Sequence, residues 1–168
     1  NQFSPANVTE SKVECRRFFN LPSSAPLALF AGTPHPHKGL DTVLEALQND
    51  VAGSFHLVLA GPPDHATFRV ARRTLQDRCH LIGFVDNEKM PELLHAVDVI
   101  PIMQRENAYT KAQMPAKLLE SMAMAKNVVV SPVGDLPRII ASDEEEMRGW
   151  VVDEEDDEHL ARVFRRII

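Results

Sequence analysis

Short apolar runs alternate with helical patterns along most of the sequence. The apolar runs are 26–31, 55–60, 80–84, 97–102, 127–131 and 149–152. The helical patterns are 9–20, 40–47, 65–77, 87–96, 115–125, 134–141 (a short helix or turn) and 156–167. Continuous apolar runs of this length are typical of strands buried on both faces of a parallel sheet. Because crossovers between parallel strands are right-handed, this order predicts an α/β fold, with a doubly wound, Rossmann-like parallel sheet between two helical layers.

Three details of these elements are specific enough to check. Thr9 is expected to cap the first helix, with Lys12 where a full capping box has an acidic residue. The segment 103–114 lacks periodicity and is predicted to be a loop that is mobile while the site is empty. Four residues of the helix at 65–77 are expected to face the core: Phe68, Val70, Ala71 and Leu75.

The composition limits the class of protein. Apolar residues make up 44% and charged residues 25% of the 168 residues, as in a soluble globular domain. No apolar run approaches the ~20 residues that a membrane-spanning helix needs. Residues 1–20 are polar and do not resemble a signal peptide. Because the chain begins with Asn1, we expect it to be a piece of a longer protein.

The net charge of −6 is unevenly distributed. Residues 143–158 hold ten of the 24 acidic residues and one of the 18 basic residues, and this segment is expected to face solvent. The remaining surface is slightly basic, which suits a small anionic ligand, but the charge is too dispersed for binding to nucleic acid. Cys15 and Cys79 lie outside any metal-binding spacing, which favours packing roles in a reducing, cytosolic compartment.

The loops that follow the strands form the candidate binding region, because ligands of such sheets bind beyond the carboxyl ends of the strands. These loops are 32–39, 61–64, 83–87, 103–114 and 131–135. The loop 32–39 contains two glycines and two prolines, which argue against regular structure inside it. Its backbone N–H groups and Lys38 can contact a phosphate. The alternative is an ordinary loop with an exposed lysine.

Other chemistries find little support in the sequence. The dinucleotide fingerprint GxGxxG is absent. His35 and His37 have no further ligand at metal-binding spacing, so they are expected to be exposed loop histidines. Trp150 is expected to be a partly buried anchor for the end of the chain. No nucleophile elbow, phosphate-binding P-loop or Ser/His/Asp arrangement occurs.

The strongest local signal is the stretch PAKLLESMAMAKNVVV at 115–130. Lys117 and Glu120 are about 60° apart on a helix at ~100° per residue. One interpretation is an exposed i, i+3 ion pair. The other places the helix N-terminus and Lys117 against a diphosphate, with Glu120 accepting two ribose hydroxyls. An apolar stripe is predicted on the opposite side of the helix, from Leu118, Leu119, Met122 and Ala123.

An ordered series of segments then resembles a known family. Lys38-Gly39-Leu40 follows the first strand, and LVLAGP, GFV, AVDVIP, PAKLLESMAMAKNVVVSPVGDLPRII and GWVV come after it in that order. Phe3-Ser4-Pro5, near the start of the chain, resembles the opening segment of the family domain that carries this series. The series resembles the C-terminal, nucleotide-sugar-binding domain of GT-B glycosyltransferases, in the retaining group known as family 4. The resemblance covers essentially all of residues 1–168, as a single Rossmann-like domain.

The resemblance implies a role for each matching residue. Lys38 matches the lysine that contacts the donor diphosphate, and Glu120 matches the glutamate that holds the ribose, so these two are the expected catalytic groups. The stretch 117–119 matches the backbone that faces the diphosphate, and 83–85 matches the frame of the nucleobase. The expected donor-binding residues are Gly32, Thr33, Lys38, Gly61, Gly83, Phe84, Val85, Lys117, Leu118, Leu119 and Glu120.

Three positions depart from the family pattern. Thr33 stands where an arginine is usual, Ala112 where the first glutamate of a pair is usual, and Ala125 where a glycine is usual. The first glutamate normally lies near the transferred sugar, and Gln113 and Glu106 are candidate replacements. Family members with a PxKLLEYMA-type sequence share the departure at Ala112.

The implied activity is transfer of a hexosyl group from a UDP- or GDP-sugar to the hydroxyl of a carbohydrate or lipid-linked acceptor. The resemblance implies neither cofactor nor metal, a cytoplasmic location, and any membrane association through the missing part. It also implies an N-terminal acceptor domain that this chain lacks, so the chain alone is expected to transfer little or no sugar. Alternatives on the same fold are a sugar-nucleotide epimerase and a non-catalytic nucleotide-sugar-binding scaffold.

Overall fold

The computed structural model describes residues 2–140 and 149–168, and these form a parallel sheet flanked by helices. The strands are β1 (Leu27–Ala31), β2 (His56–Ala60), β3 (Cys79–Gly83), β4 (Val99–Ile102), β5 (Asn127–Val130) and β6 (Gly149–Val151). The helices are α1 (Lys12–Phe18), α2 (Leu40–Gln48), α3 (Ala66–Leu75), α4 (Met90–Ala96), α5 (Ala108–Ala112), α6 (Ala116–Ala123), α7 (Leu136–Ile140) and α8 (Asp157–Ile167).

The six strands pair in the order β3-β2-β1-β4-β5-β6, and every pairing is parallel. Leu29 of β1 lies opposite Val58 of β2, and Ala28 lies opposite Val99 of β4. The chain therefore builds one half of the sheet outward from β1 and then returns to build the other half from β4. The predicted doubly wound, Rossmann-like sheet is confirmed.

Successive residues of the central strands point into opposite layers. Ala28 and Phe30 of β1 pack with α2, α3 and α8, whereas Leu27 and Leu29 pack with α1, α4, α6 and α7. Because both faces are covered, the central strands are apolar at consecutive positions, and β2 buries Leu57 and its three successors. The three-layer α/β/α arrangement follows from these two cores.

The α1 helix begins later than the sequence analysis expected. Ser11, not Thr9, is the N-cap, and Ser11 and Glu14 form a complete capping box. The prediction considered only the first hydroxyl residue of the segment, and it overlooked a Ser-x-x-Glu pattern two residues further along. The inward orientation predicted for Val70 is also wrong: 52% of this residue is exposed, while Phe68, Ala71 and Leu75 are buried.

The segment 103–114 is not entirely a loop, because it contains α5. Asn107 and Thr110 form a capping box at the start of this helix, so its stability comes from local hydrogen bonds rather than from an apolar face. The loop 32–39 likewise contains one turn of 3₁₀ helix at Pro36–Lys38, against the expectation of no regular structure. Short polar elements of this kind leave no hydrophobic period for a sequence analysis to detect.

The remaining expectations concern single residues and the end of the chain. Cys15 and Cys79 are buried and unpaired, as predicted, and the partly buried Trp150 packs against the core beside α8. The helix or turn expected at 134–141 appears as α7. The last residue of the expected segment, Ala141, lies outside the described residues, as do Asn1 and the acidic residues 143–146.

Candidate functional site

A crevice opens beyond the carboxyl ends of β1 and β4, where the strand order reverses. Its walls come from β1, β4, the loop 32–39 and the start of α6, and its volume is about 180 Å³. In open α/β sheets, a reversal of strand order separates two neighbouring loops and leaves room for a ligand between them. Four polar side chains line this crevice: Lys38, Gln104, Gln113 and, from the first turn of α6, Lys117.

A second, shallower pocket adjoins the crevice on the side of β2 and β3. The two pockets share Ala31 and Lys117. Phe84 stands at the second pocket with 79% of its surface exposed, which leaves the ring face free for stacking. The residues lining this pocket are Ala31, Gly32, Thr33, Ala60, Gly61, Pro62, Phe84, Val85, Met90 and Lys117.

Backbone hydrogen bonds hold three glycine-containing loops side by side at this edge. Gly32 donates its N–H to the carbonyl oxygen of Ala60 (2.8 Å), and Gly61 donates to that of Gly83 (2.8 Å). A Cβ atom on Gly61 would lie 2.6 Å from the carbonyl oxygen of Gly32, so this close approach requires glycine. The sequence predicted that the loops meet here, and the structure brings them together.

The loop that carries Lys38 is fixed from the side of β4. Gly39 has a φ of +62°, and a Cβ atom at this position would lie 2.0 Å from the carbonyl oxygen of Met103. Arg105 donates its backbone N–H to the carbonyl oxygen of His37 (2.8 Å) and its guanidinium to that of Pro36 (3.0 Å). The position of Lys38 therefore depends on the chain that follows β4.

Lys38 is a half-buried cation without a counterion in the two described ranges. Its Nζ would lie 3.5 Å from a Cβ on Gly32, and it forms no hydrogen bond or ion pair with residues 2–140 or 149–168. Burial lowers the pKa of Lys38, and the neighbouring charge of Lys117 lowers it further. A bound anion would relieve both effects, so the crevice favours a negatively charged ligand.

The N-terminus of α6 adds to this positive potential. Pro115 is the N-cap and offers no side-chain hydrogen bond, and the first turn contains no acidic residue. Unpaired N–H groups and the helix dipole at such a terminus favour an anion. Pro115, Ala116 and Lys117 all line the crevice.

Lys117 and Glu120 form the ion pair that one interpretation predicted, with Nζ and Oε2 2.6 Å apart. The pair is not fully exposed, since the Glu120 side chain is 16% accessible. Lys117 lines both pockets, but Glu120 lines neither. The structure therefore places Glu120 behind Lys117 rather than on the pocket wall.

The other predicted site residues fall into two groups. Gly32, Thr33, Gly61, Phe84 and Val85 line the shallow pocket, and Gly83 contributes the carbonyl that accepts from Gly61. Leu118 is fully buried in the core, so only its backbone can face a ligand. Leu119 is 51% exposed and lines neither pocket, and Ala123 is exposed too, so the apolar stripe predicted for α6 is only partly correct.

The position of the missing carboxylate lies away from the crevice. Ala112 is the exposed last residue of α5 and does not line the crevice. Of the two candidate replacements, Gln113 lines the crevice, whereas Glu106 pairs with Lys111 (2.8 Å) beside the acidic residues 153–158. Gln104 also lines the crevice, and the sequence analysis missed it because the aperiodic segment around it was predicted as one loop.

The loop histidines contact each other and an aromatic side chain. His35 is exposed and stacks on His37, whose ring also meets Tyr109 at 5.9 Å. Burial, then the neighbouring His35, lowers the pKa of His37. Within the described ranges there is no group of three or more His, Cys, Asp or Glu side chains suited to a metal ion. Nor do those ranges contain a helix long and apolar enough to cross a membrane.

Comparison with known proteins identifies the family. The family model of the group 1 glycosyl transferases matches residues 25–168. The chain belongs to the group 1 glycosyl transferases. No curated protein sequence matches it.

Solved structures of similar fold include a glycosyltransferase from Rickettsia africae, with a TM-score of 0.79 and 22% identity over 99% of this chain and 44% of that one. Anabaena Alr3699/HepE in complex with UDP-glucose has a TM-score of 0.78 and 14% identity over the same shares. The C-terminal domain of a group 1 glycosyl transferase (LpcC) from Francisella tularensis has a TM-score of 0.70 and 19% identity, over 98% of this chain and 89% of that domain. This group 1 glycosyl transferase chain therefore spans less than half of the first two structures.

Proposed function

We propose that this chain is the donor-binding domain of a retaining glycosyltransferase that transfers a hexosyl group from a UDP- or GDP-sugar to an acceptor hydroxyl. One observation carries the proposal: the ammonium of Lys38 has no counterion among the described residues and lies beside Lys117 at the N-terminus of α6. A diphosphate is the group in such donors that would neutralise this charge. The Anabaena neighbour with bound UDP-glucose supports the same ligand class.

The proposed reaction assigns a role to each part of the site. The bond between the anomeric carbon and the diphosphate breaks, a new bond forms to the acceptor oxygen, and the hydroxyl proton is released. Lys38 and the N–H groups of α6 stabilise the charge that develops on the leaving diphosphate. Phe84 stacks on the base, and Val85 lines the same pocket. A carboxylate has about four acceptor sites, so Glu120 can hold the ribose as well as Lys117.

The proposed reaction needs parts that lie outside this chain. We propose that an N-terminal domain binds the carbohydrate or lipid-linked acceptor, and that the reaction requires no metal or other cofactor. The 168-residue chain alone would then bind donor weakly and transfer little or no sugar. Appreciable transfer by this chain would contradict the proposed division of labour. We also propose a cytoplasmic location, with any membrane association supplied by the remainder of the protein.

Calorimetric titration with UDP and with GDP tests the proposal. Lys38→Met should weaken binding of the preferred nucleotide roughly 10- to 100-fold, because it removes a charge-assisted contact to the diphosphate. Lys12→Met is a matched control, since Lys12 pairs with Asp98 at the amino ends of β1 and β4, at the other end of the strands from the crevice. Equal affinities for Lys38→Met and the control, or no binding by the wild type, would refute the proposed diphosphate site.

The ribose contact has its own test. Glu120→Gln should weaken UDP or GDP binding about tenfold and should reduce the preference for the ribonucleotide over its 2′-deoxy form, because the amide accepts ribose O–H groups less strongly. An unchanged preference would remove Glu120 from the ribose site.

A scaffold that binds nucleotide sugars without catalysis is the second candidate. Ala112 and Thr33, which lack the charged groups usual at these positions, favour it. Binding of donor together with no transfer by the full-length protein would support this second candidate.

A further inference from the structure

Gln104 is a buried polar residue whose side chain faces the crevice. Only 5% of the residue is exposed, and it lines the cavity between β1 and β4. Its backbone carbonyl accepts a hydrogen bond from the hydroxyl of Ser131 (2.5 Å), which fixes the chain at this point. The side-chain oxygen Oε1 has no hydrogen-bonding partner among the described residues.

A buried acceptor without a partner lowers the stability of the folded protein. An apolar residue of similar length would therefore suit this position better if packing were its only role. Oε1 itself is fully buried, but the crevice adjoins Gln104, so a ligand group can supply the missing partner once the amide turns toward the crevice.

The chemistry of the unpaired atom limits what that group can be. An amide oxygen accepts, so the ligand must offer an O–H or N–H donor, and an ionised diphosphate offers only acceptors. If the amide is rotated by 180°, its NH₂ group faces the ligand and needs an acceptor instead. A hydroxyl group satisfies both orientations, because it donates and accepts.

The arrangement of the two pockets separates the sugar from the nucleoside. The shallow pocket with Phe84 lies on the side of β2 and β3, and the crevice with Gln104 lies on the side of β4. Lys117 belongs to both, so a diphosphate bound there would direct the base to one side and the transferred sugar to the other.

Other polar groups near the crevice are less available. Ala112 has no carboxylate, and Glu106 is paired with Lys111. Gln113 lines the crevice, but its amide donates to the hydroxyl of Tyr109 (3.1 Å). We propose that Gln104 hydrogen-bonds a hydroxyl of the transferred sugar and is a specificity-determining residue for it. This inference rests on the proposed donor-binding function.

The test is calorimetric titration of the 168-residue chain with UDP and UDP-glucose, and with GDP and GDP-mannose. Gln104→Met keeps the length of the side chain. It should weaken binding of the preferred nucleotide sugar about tenfold and change the affinity for the matching nucleoside diphosphate by no more than about twofold. Gln48→Met is the control, because Gln48 donates to Leu44 within α2 and lines neither pocket. It should match the wild type with every ligand.

Two binding results would overturn the inference. If Gln104→Met weakened binding of the nucleoside diphosphate and of the nucleotide sugar equally, Gln104 would contact the nucleotide rather than the sugar. Unchanged affinity for both ligands would exclude Gln104 from the site. Failure of the proposed function looks different, because the wild type would then bind none of the four ligands.

Thermal unfolding provides a readout independent of the ligand. Because Oε1 has no partner in the part of the chain that the structure describes, Gln104→Met should unfold at the same or a higher temperature than the wild type. A fall of several degrees would show that Gln104 supports the fold, and it would overturn the inference.

Discussion

Ala125 shows how one side chain can oppose the conformation that its position requires. It follows α6 with a φ of +52°, in the left-handed region. The backbone N–H of Ala125 donates to the carbonyl oxygen of Met122, and the N–H of Lys126 donates to that of Ser121. These two hydrogen bonds form a Schellman motif. Glycine adopts this conformation without the steric cost that a Cβ atom brings.

We predict that Ala125→Gly stabilises the chain by about 0.5–1 kcal/mol, since relief of strain outweighs the greater freedom of glycine in the unfolded state. Urea unfolding measures the change. Ala123→Gly is the matched control: Ala123 is the exposed last residue of α6, with helical backbone, where glycine should destabilise by up to about 0.5–1 kcal/mol. A loss of stability from both substitutions would contradict this account of the cap.

Residues of the candidate site differed in how well the sequence predicted their place at the crevice. Lys38 could be found because a lysine in a glycine-containing loop after a strand is a local pattern. Gln104 could not, because its burial depends on Ser131 and on the strands beside it, which are distant in sequence. The position of Glu120 behind Lys117 depends on side-chain rotamers, which no sequence pattern specifies.

At the scale of elements, the loop 32–39 and the chain after β4 are held together through Gly39. Gly39 and Gly53 share a φ of +62°, but only Gly39 is in close contact, with the Met103 carbonyl, while nothing lies within 4 Å of a Cβ on Gly53. Substitutions at these two glycines therefore distinguish the cost of backbone strain from the cost of a steric clash.

We predict that Gly53→Ala costs about 1 kcal/mol from backbone strain alone. Gly39→Ala should cost a further 1–3 kcal/mol, roughly the cost of overpacking, because the loop must move away from β4. Equilibrium unfolding in urea compares the two variants directly. Equal costs would mean that the loop does not depend on its contact with Met103.

Two histidines lie side by side on the edge strand β3 and its neighbour β2. His56 Nδ1 and His80 Nε2 lie 2.9 Å apart across β2 and β3. Burial is the main cause that lowers the pKa of both histidines. The positive charge of Arg78 lowers the pKa of His56 further, and His56 lowers the pKa of His80 further. An unfolded histidine has a pKa of about 6.5, so below that pH the unfolded chain binds more protons than the folded one.

The stability that this pair contributes is therefore present above about pH 6.5 and is lost as the pH falls through the lower folded pKa values. We predict a lower free energy of unfolding at pH 5.5 than at pH 7.5, and a smaller fall in His80→Gln. His37 and His95, whose pKa values burial also lowers, account for part of the remaining fall. An identical fall in wild type and variant would show that the pair does not titrate on unfolding.

The sequence predicted buried strands well and short polar elements poorly. A strand covered on both faces, such as β1, must be apolar at consecutive positions, and this pattern can be read directly. The helix α5 depends on the capping hydrogen bonds of Asn107 and Thr110, which leave no periodic signal. The start of α1 was likewise a choice between two capping residues, Thr9 and Ser11, that lie two positions apart.

At the scale of the whole molecule, the strand order determines where the site lies. The sequence predicted parallel strands and right-handed crossovers, but the adjacency of β1 and β4 is set by the packing of distant segments. That adjacency brings Lys38 and the N-terminus of α6 to one crevice. The described acidic residues 153–158 instead line a separate groove with Glu106, away from Lys38.

The central claim is that a nucleotide sugar binds where the strand order reverses. The most direct measurement is a titration of the ¹⁵N-labelled chain with UDP-glucose and with GDP-mannose, followed by the backbone amide signals. The account predicts that the largest shifts with the preferred donor occur at 32–39, 83–85, 104 and 115–120. Shifts confined to the acidic residues 153–158 or to the amino ends of the strands around Asp98 would contradict it. So would the absence of shifts with either donor.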